Sequence, residues 1–446
     1  MMTINDIKKY IVCINGGTGV IFQPSDKNYS YILTAKHVFK DISGKQYNGQ
    51  VDIQYYDTTT NSFIPLSKFS LNEGVNYFPH QTDGIDIAIL KIARLSVGSE
   101  IIIKDDISSD RKDYILQGFP LLRRTGDRVN INWMRSDIEV TILGDRANQK
   151  VEADISKNQT QSELLGSSGG GIFKLSEKNI LLAGIQSGMV SDEEVLGRIE
   201  FTPVKVFSDI VDNSNHALEP IIPAYMKCFS FLRDEAFRLE VDIFNERDIE
   251  LVRNYLKNKV PDIVRSGITP AAIKKFFETR LLVSKSDSVI LFEKNIWLAW
   301  LEFLTVLNII KYQAFGEEQI TEIFNNYRLI YSNYPGEWTE LLINELQYAD
   351  YIGLADNALI FIGTDSRPSG TRKVVPGKLR PDISRVFDKS KFMTDGGFDP
   401  YNKFTFVHIS YLQQECIITK LSEYRDKNEE ELLAELKRQY NELFRL

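Results

Sequence analysis

Gly166-Ser167-Ser168-Gly169-Gly170-Gly171 is the stretch on which the fold and chemistry of this chain turn. Glycine and serine in such density also make flexible linkers, so the run needs support from elsewhere. Two upstream stretches supply it, Thr34-Ala35-Lys36-His37 and Asp86-Ile87-Ala88-Ile89-Leu90. A serine hydroxyl is a poor nucleophile at neutral pH. It needs an imidazole to take its proton and a carboxylate to hold that imidazole in one tautomer. His37, Asp86 and Ser168 are the candidates for base, orienter and nucleophile.

Each candidate has a local context that suits its role. Tyr31 to Ala35 is apolar and β-prone, which puts His37 at the rim of a strand rather than in a core. Asp86 opens the apolar run Ile87 to Ile92, so its carboxylate is carried at the mouth of a buried strand. The glycines around Ser168 clear side chains away from the backbone. The N–H groups of Gly166 and Ser168 are thereby expected to converge on a developing oxyanion. His80, in Pro79-His80-Gln81-Thr82-Asp83, reads as a loop residue and Asp83-Gly84 as a turn, which leaves Asp86 as the favoured carboxylate. The Gly-x-Ser-Gly-Gly spacing selects Ser168 over Ser167.

The chain order histidine, aspartate, serine, with these motifs around it, resembles the trypsin-like (chymotrypsin-fold) serine peptidases of bacterial type. The likeness runs roughly from Cys13 to Val211. Gly17 to Phe22 followed by Ile32 to His37 is similar to the opening strand pair of that family, and Asp86 to Ile92 to its aspartate strand. Gly184-Ile185-Gln186-Ser187-Gly188 sits where the family has the edge strand that pairs with substrate, so the resemblance implies substrate contacts at Ser187 and Gly188. It also implies that Ser162, six residues before Ser168, floors the primary specificity pocket. Ser162 argues against a dedicated arginine or lysine pocket, while Glu163 beside it leaves a basic preference open. Val38 replaces the cysteine that secreted relatives carry after the histidine, and Ser167 replaces their aspartate before the serine. No Ile-Val-Gly-Gly activation site precedes the domain. Control by a partner, a ligand or the other half of the chain is therefore expected instead of activation by trimming.

Composition narrows the remaining classes. A chain of 446 residues with 43% hydrophobic content can bury two ordinary cores. A net charge of −8 argues against a general nucleic-acid surface, because phosphate binding needs a basic face, and leaves a local patch open. Cys13, Cys228 and Cys416 lie far apart without metal spacing, so isolated thiols in a reducing cytoplasm are expected, with no metal or cofactor. The first ten residues carry no signal-peptide pattern. Ile296 to Ile310 is strongly apolar but short and contains Glu302, which indicates a core helix and no membrane partner.

Two textures divide the chain. Residues 1–211 alternate short β-prone runs, such as Val51 to Tyr55 and Ile138 to Val140, with Gly, Asn, Asp and Ser turns. Residues 212–224 read as a linker, and residues 225–446 become helical in period. Ile249, Val252 and Leu256 share a stripe, Thr269-Pro270 is a helix start, and Asn428 to Phe444 is amphipathic. Asn357 to Ile362 and Phe404 to Ile409 are strand-like, and His408 reads as a satisfied core residue. The expected architecture is thus multidomain, an N-terminal all-β trypsin-like double β-barrel followed by a mainly α (α+β) domain. Around Trp297 to Leu304 the second half resembles C-terminal domains of bacterial ABC-three-component conflict (defence) systems. Arg367, Arg372, Lys373, Lys378, Arg380 and Arg385 cluster in a Gly/Pro-rich stretch that reads as a solvated loop ahead of a nucleotide or nucleic-acid site. The expected function is an intracellular serine endopeptidase with a protein substrate. A regulatory protein or ligand would act through the C-terminal domain. The alternative is a catalytically silent trypsin-like scaffold serving as an interaction module.

Overall fold

Along Ile138–Asp145, Ile138, Val140 and Ile142 are buried while Glu139 and Thr141 face water, the alternation of a strand with one wet face. This pattern recurs through the first half of the computed structural model. The structure describes residues 3–26, 28–40, 50–57, 59–60, 62–95, 101–103, 111–121, 138–156, 164–175, 180–190, 197–238, 246–284, 288–311, 317–334, 336–365, 374–375 and 400–445. The chain divides into two compact units, Met1–Ala224 and Tyr225–Leu446.

The first unit begins with β1 (Ile11–Ile14), β2 (Gly17–Phe22), β3 (Tyr29–Thr34), β4 (Gln50–Val51), β5 (Ile53–Asp57), β6 (Ser62–Pro65), β7 (Phe69–Ser70), β8 (Tyr77–Pro79) and β9 (Ala88–Ala93). Seven of these form one antiparallel sheet in the order β6-β5-β1-β2-β3-β9-β8. The second group is β10 (Ile101–Ile103), β11 (Tyr114–Gln117), β12 (Ile138–Asp145), β13 (Val151–Ile155), β14 (Gly171–Leu175), β15 (Ile180–Met189) and β16 (Arg198–Pro203). Here β16 pairs with both β13 and β15, so the run β15-β14-β11-β12-β13-β16 closes into a six-stranded barrel. Closure removes the free edges that an open sheet would expose. Among the described residues the first sheet has no such closing pair. Tyr114, Leu116, Val140, Ile172 and Phe201 fill the barrel, and Phe173, one residue on from Ile172, faces the other core.

Residues 212–224, expected as a linker, instead pack onto this unit. Leu218 and Ile221 are buried in its core, and the Glu219 N–H donates to Tyr31 Oη at 2.6 Å. The Glu219 carboxylate accepts from the Ser25 hydroxyl and from the Asp26 N–H (3.0 Å). The polar composition of the stretch conceals these few apolar anchors.

In the second unit the helix Lys294–Lys311 is apolar around its circumference and is accordingly enclosed, with Trp297, Leu301, Phe303 and Leu304 fully buried. The helices Glu246–Arg265 and Glu429–Leu443 accompany it. The Thr269 hydroxyl caps the helix Pro270–Phe277 by accepting from the Ala272 N–H at 3.1 Å. Asn428 and Glu431 cap Glu429–Leu443 reciprocally, each side chain accepting from the other's N–H at 3.0 Å. A four-stranded sheet completes the unit, in the order β17 (Tyr327–Ser332), β18 (Leu359–Thr364), β20 (Thr405–His408) and β19 (Val374–Val375). Its β17, β18 and β20 run parallel, with β19 antiparallel at the edge. His408 is 2% exposed and bonded on both ring nitrogens, to Thr364 Oγ1 (3.0 Å) and Ser410 Oγ (2.7 Å), a satisfied core histidine. The basic cluster Arg367 to Arg385 lies outside the described residues. The three cysteines are free, and no helix among the described residues is long and apolar enough to cross a membrane.

Leu304→Ala should lower the stability of the second unit by about 2–5 kcal/mol, the cost of emptying a closed leucine site. Urea unfolding followed by tryptophan fluorescence measures it, since Trp297, Trp300 and Trp338 all lie in that unit.

Candidate active site

Antiparallel pairing of β3 with β9 sets Thr34 opposite Ala88. Asp86 lies two residues before β9, and His37 sits in the 3-10 turn Lys36–Phe39 directly after β3, so the register brings the two together at one end of the sheet. His37 Nδ1 and Asp86 Oδ2 are 2.5 Å apart, and the His37 N–H donates to Asp86 Oδ1 at 2.9 Å. Both carboxylate oxygens are therefore engaged by one residue. An ionised carboxylate only accepts, so Nδ1 carries the ring proton and the neutral imidazole keeps its lone pair on Nε2.

Burial pushes the Asp86 carboxyl up. The hydrogen bond from the His37 ring, the ring's charge when it is protonated, the His37 N–H and the charge of Lys150 outweigh that and hold it below the usual carboxylate range. His80, expected in a loop, follows β8 as expected, but its side chain is only 7% exposed and turns elsewhere. Its Nδ1 accepts from the Thr82 N–H (3.1 Å), and Nε2 faces Asp209 at 3.5 Å in the wall of a cavity of about 470 Å³. Asp83 and Gly84 form the expected turn, with Gly84 at φ +88°.

Ser168 is part-exposed in the segment joining Leu164 to β14. Gly166 and Gly169 take φ of +91° and +86°, where a side chain would be strained. A Cβ at Gly166 would also lie 2.6 Å from the Phe119 carbonyl oxygen, and one at Gly169 would lie 2.0 Å from that of Thr18. Among the described residues neither the Gly166 nor the Ser168 N–H has a hydrogen-bond partner. The His37 and Ser168 segments flank a single glycine: a Cβ at Gly17 would meet Val38 at 2.7 Å and the Ser168 carbonyl oxygen at 3.1 Å. No hydrogen bond joins the Ser168 hydroxyl to the His37 ring among the described residues, a spacing common before substrate arrives.

Strand β15 runs past this segment. Gln186 exchanges backbone bonds with it, the Gly169 N–H donating to the Gln186 carbonyl and the Gln186 N–H to that of Gly170, both at 2.8 Å. Beyond Gln186, among the described residues, no strand pairs with β15 on that side, so Ser187 and Gly188 lie on an open edge. The Ser187 hydroxyl turns the other way, to the Glu200 carbonyl (3.2 Å), and nothing lies within 4 Å of a Cβ placed on Gly188. Ser162 and Glu163 lie outside the described residues.

One participant escaped the sequence reading. Thr18, fully buried, touches the Ser168 segment through both its backbone and its hydroxyl. Its only local signal is the glycine on either side.

Residues 18–211 match the trypsin family model, and residues 201–418 match that of C-terminal domain 4 of the ABC-three component (ABC-3C) systems. The N-terminal half is thus trypsin-like in fold, and the helix-rich second half is similar to that ABC-3C domain. No curated protein matches the chain.

Because Asp86 titrates lower folded than unfolded, where a carboxyl of its type sits at about 3.9, its pairing stabilises the protein above that pH. That contribution is lost as the pH falls through the lower folded value. Asp86→Asn should therefore cost stability at pH 7 and much less at about pH 2, as read from urea midpoints at the two pH values.

Proposed function

We propose that the chain is a serine endopeptidase acting on protein substrates, with His37 as general base, Asp86 as its orienter and Ser168 as nucleophile. The observation that carries this reading is the double engagement of Asp86 by His37, which leaves Nε2 as the proton acceptor. In the acylation step Ser168 Oγ bonds to the substrate carbonyl carbon while its proton passes to His37 Nε2. The oxygen that becomes negative is met by the N–H groups of Gly166 and Ser168. The C–N bond then breaks, the imidazolium returns its proton to the departing amine, and an acyl-serine remains. Water, deprotonated by the same imidazole, releases the acid and restores the hydroxyl. The open edge of β15 at Ser187 and Gly188 aligns the substrate backbone by strand addition.

The match of the second half to an ABC-3C domain supports a place in a multi-component bacterial defence system. There the C-terminal unit binds a partner that governs the peptidase in the cytoplasm. Free cysteines agree with that setting.

A fluorophosphonate probe should label Ser168 in the full chain, alone or with its system partners. Ser168→Ala and His37→Ala should abolish labelling. Asp86→Asn should slow it by about 10⁴-fold, the loss seen when the orienting carboxylate of such a triad is neutralised. Absence of labelling under every condition tried would leave the silent scaffold as the better account.

A further inference from the structure

The segment around Ser168 turns three consecutive carbonyls inward. The Ser167 carbonyl accepts from the Gly170 N–H at 2.7 Å, within the segment itself. Thr18 supplies the donors for the other two: its N–H to the Ser168 carbonyl and its hydroxyl to that of Gly166, both at 2.8 Å. With these carbonyls held inside, the N–H groups of Gly166 and Ser168 are the groups left without a partner among the described residues.

The direction of the hydroxyl is determined. Thr18 Oγ1 accepts from the Phe119 N–H at 2.9 Å, so its own proton is free to point at the Gly166 carbonyl. The carbonyl of Thr18 accepts in turn from the Thr34 hydroxyl at 2.6 Å, which fixes the residue from the β3 side. Thr18 is 0% exposed, so water cannot replace any of these bonds.

We infer that Thr18 is a positioning residue for the oxyanion site: its hydroxyl holds the Gly166–Ser167 peptide, the link between the two peptides that carry the Gly166 and Ser168 N–H groups, and so keeps those N–H groups turned to the substrate. This rests on the peptidase reading above for its catalytic consequence, though not for its geometry. It deepens that reading by placing the preorganisation of the oxyanion site within the first unit, in a bond between residues 148 positions apart. A ligand or partner then acts on a site that is already formed.

The test compares Thr18→Val, which keeps the shape and removes the hydroxyl, with Thr18→Ser, which keeps the hydroxyl, and with Thr18→Ala as a smaller second variant. In fluorophosphonate labelling of the full chain, Thr18→Val should lower the maximal inactivation rate by about 10²- to 10³-fold, the scale of losing an oxyanion donor. The probe concentration for half-maximal rate should stay unchanged, and Thr18→Ser should stay within a few-fold of the parent. Crystal structures should show the Gly166 carbonyl turned outward in Thr18→Val and inward in Thr18→Ser. Parent-like labelling by folded Thr18→Val, or an unmoved Gly166 carbonyl, overturns the inference. So does failure of both Thr18→Val and Thr18→Ala to fold while Thr18→Ser folds, which would make the bond purely structural. If the parent itself never labels, the peptidase reading fails, and the carbonyl direction still decides the positional role.

Discussion

The hydroxyl of Thr18 is the bond on which the arrangement around Ser168 depends. It joins two backbone groups, the Phe119 N–H after β11 and the Gly166 carbonyl of the glycine-rich segment, while the Thr34 hydroxyl on β3 holds the Thr18 carbonyl. An unpaired N–H or carbonyl in such a place costs about 1–3 kcal/mol, so a single hydroxyl that both accepts and donates removes two such penalties at once. Of the two outward N–H groups, that of Ser168 shares its peptide with the inward Ser167 carbonyl, and that of Gly166 shares its peptide with the Leu165 carbonyl, which accepts from the Leu121 N–H at 2.6 Å. A peptide plane cannot turn its carbonyl toward the core without turning its N–H away from it.

The second constraint is register. The pairing of β3 with β9 sets the distance between His37 and Asp86, because each lies just past the end of its own strand. A slip of one residue would send either side chain to the opposite face. Both carboxylate oxygens are taken by His37, so the imidazole has little freedom left, and Asp86 remains ionised despite its burial. A rigid strand pair thus does for His37 what Thr18 does for the Ser168 segment.

The second unit follows a different logic. Its organising element is the helix Lys294–Lys311, too apolar to have a wet face, around which helices and a mainly parallel sheet gather. Arg328 on β17 is fully buried there. Its guanidinium donates to the carbonyls of Asp350 (2.5 Å) and Ile352 (2.7 Å) and stacks on Phe324, while burial pushes it down to about 10. Such a charge ties a loop to a strand without a carboxylate partner among these contacts. The likeness of this unit to an ABC-3C domain points to assembly, while every group argued to touch a substrate lies in the first unit.

The sequence by itself determined the elements whose cause is local. Strands alternate because one face is wet, the caps at Thr269 and Asn428 answer orphaned N–H groups, and glycines stand at positions 166 and 169 because the backbone there is left-handed. The His37, Asp86 and Ser168 motifs were legible for the same reason, each carrying its own strand end or turn. Tertiary structure alone decided what depends on distant partners. The reach of Thr18 to Gly166 is one case, the packing of Leu218 and Ile221 onto a core that a polar stretch conceals is another, and the parallel course of β17, β18 and β20 is a third. Composition records what a residue can bond to, but only the closed barrel and the paired strands decide which group arrives within 3 Å of it.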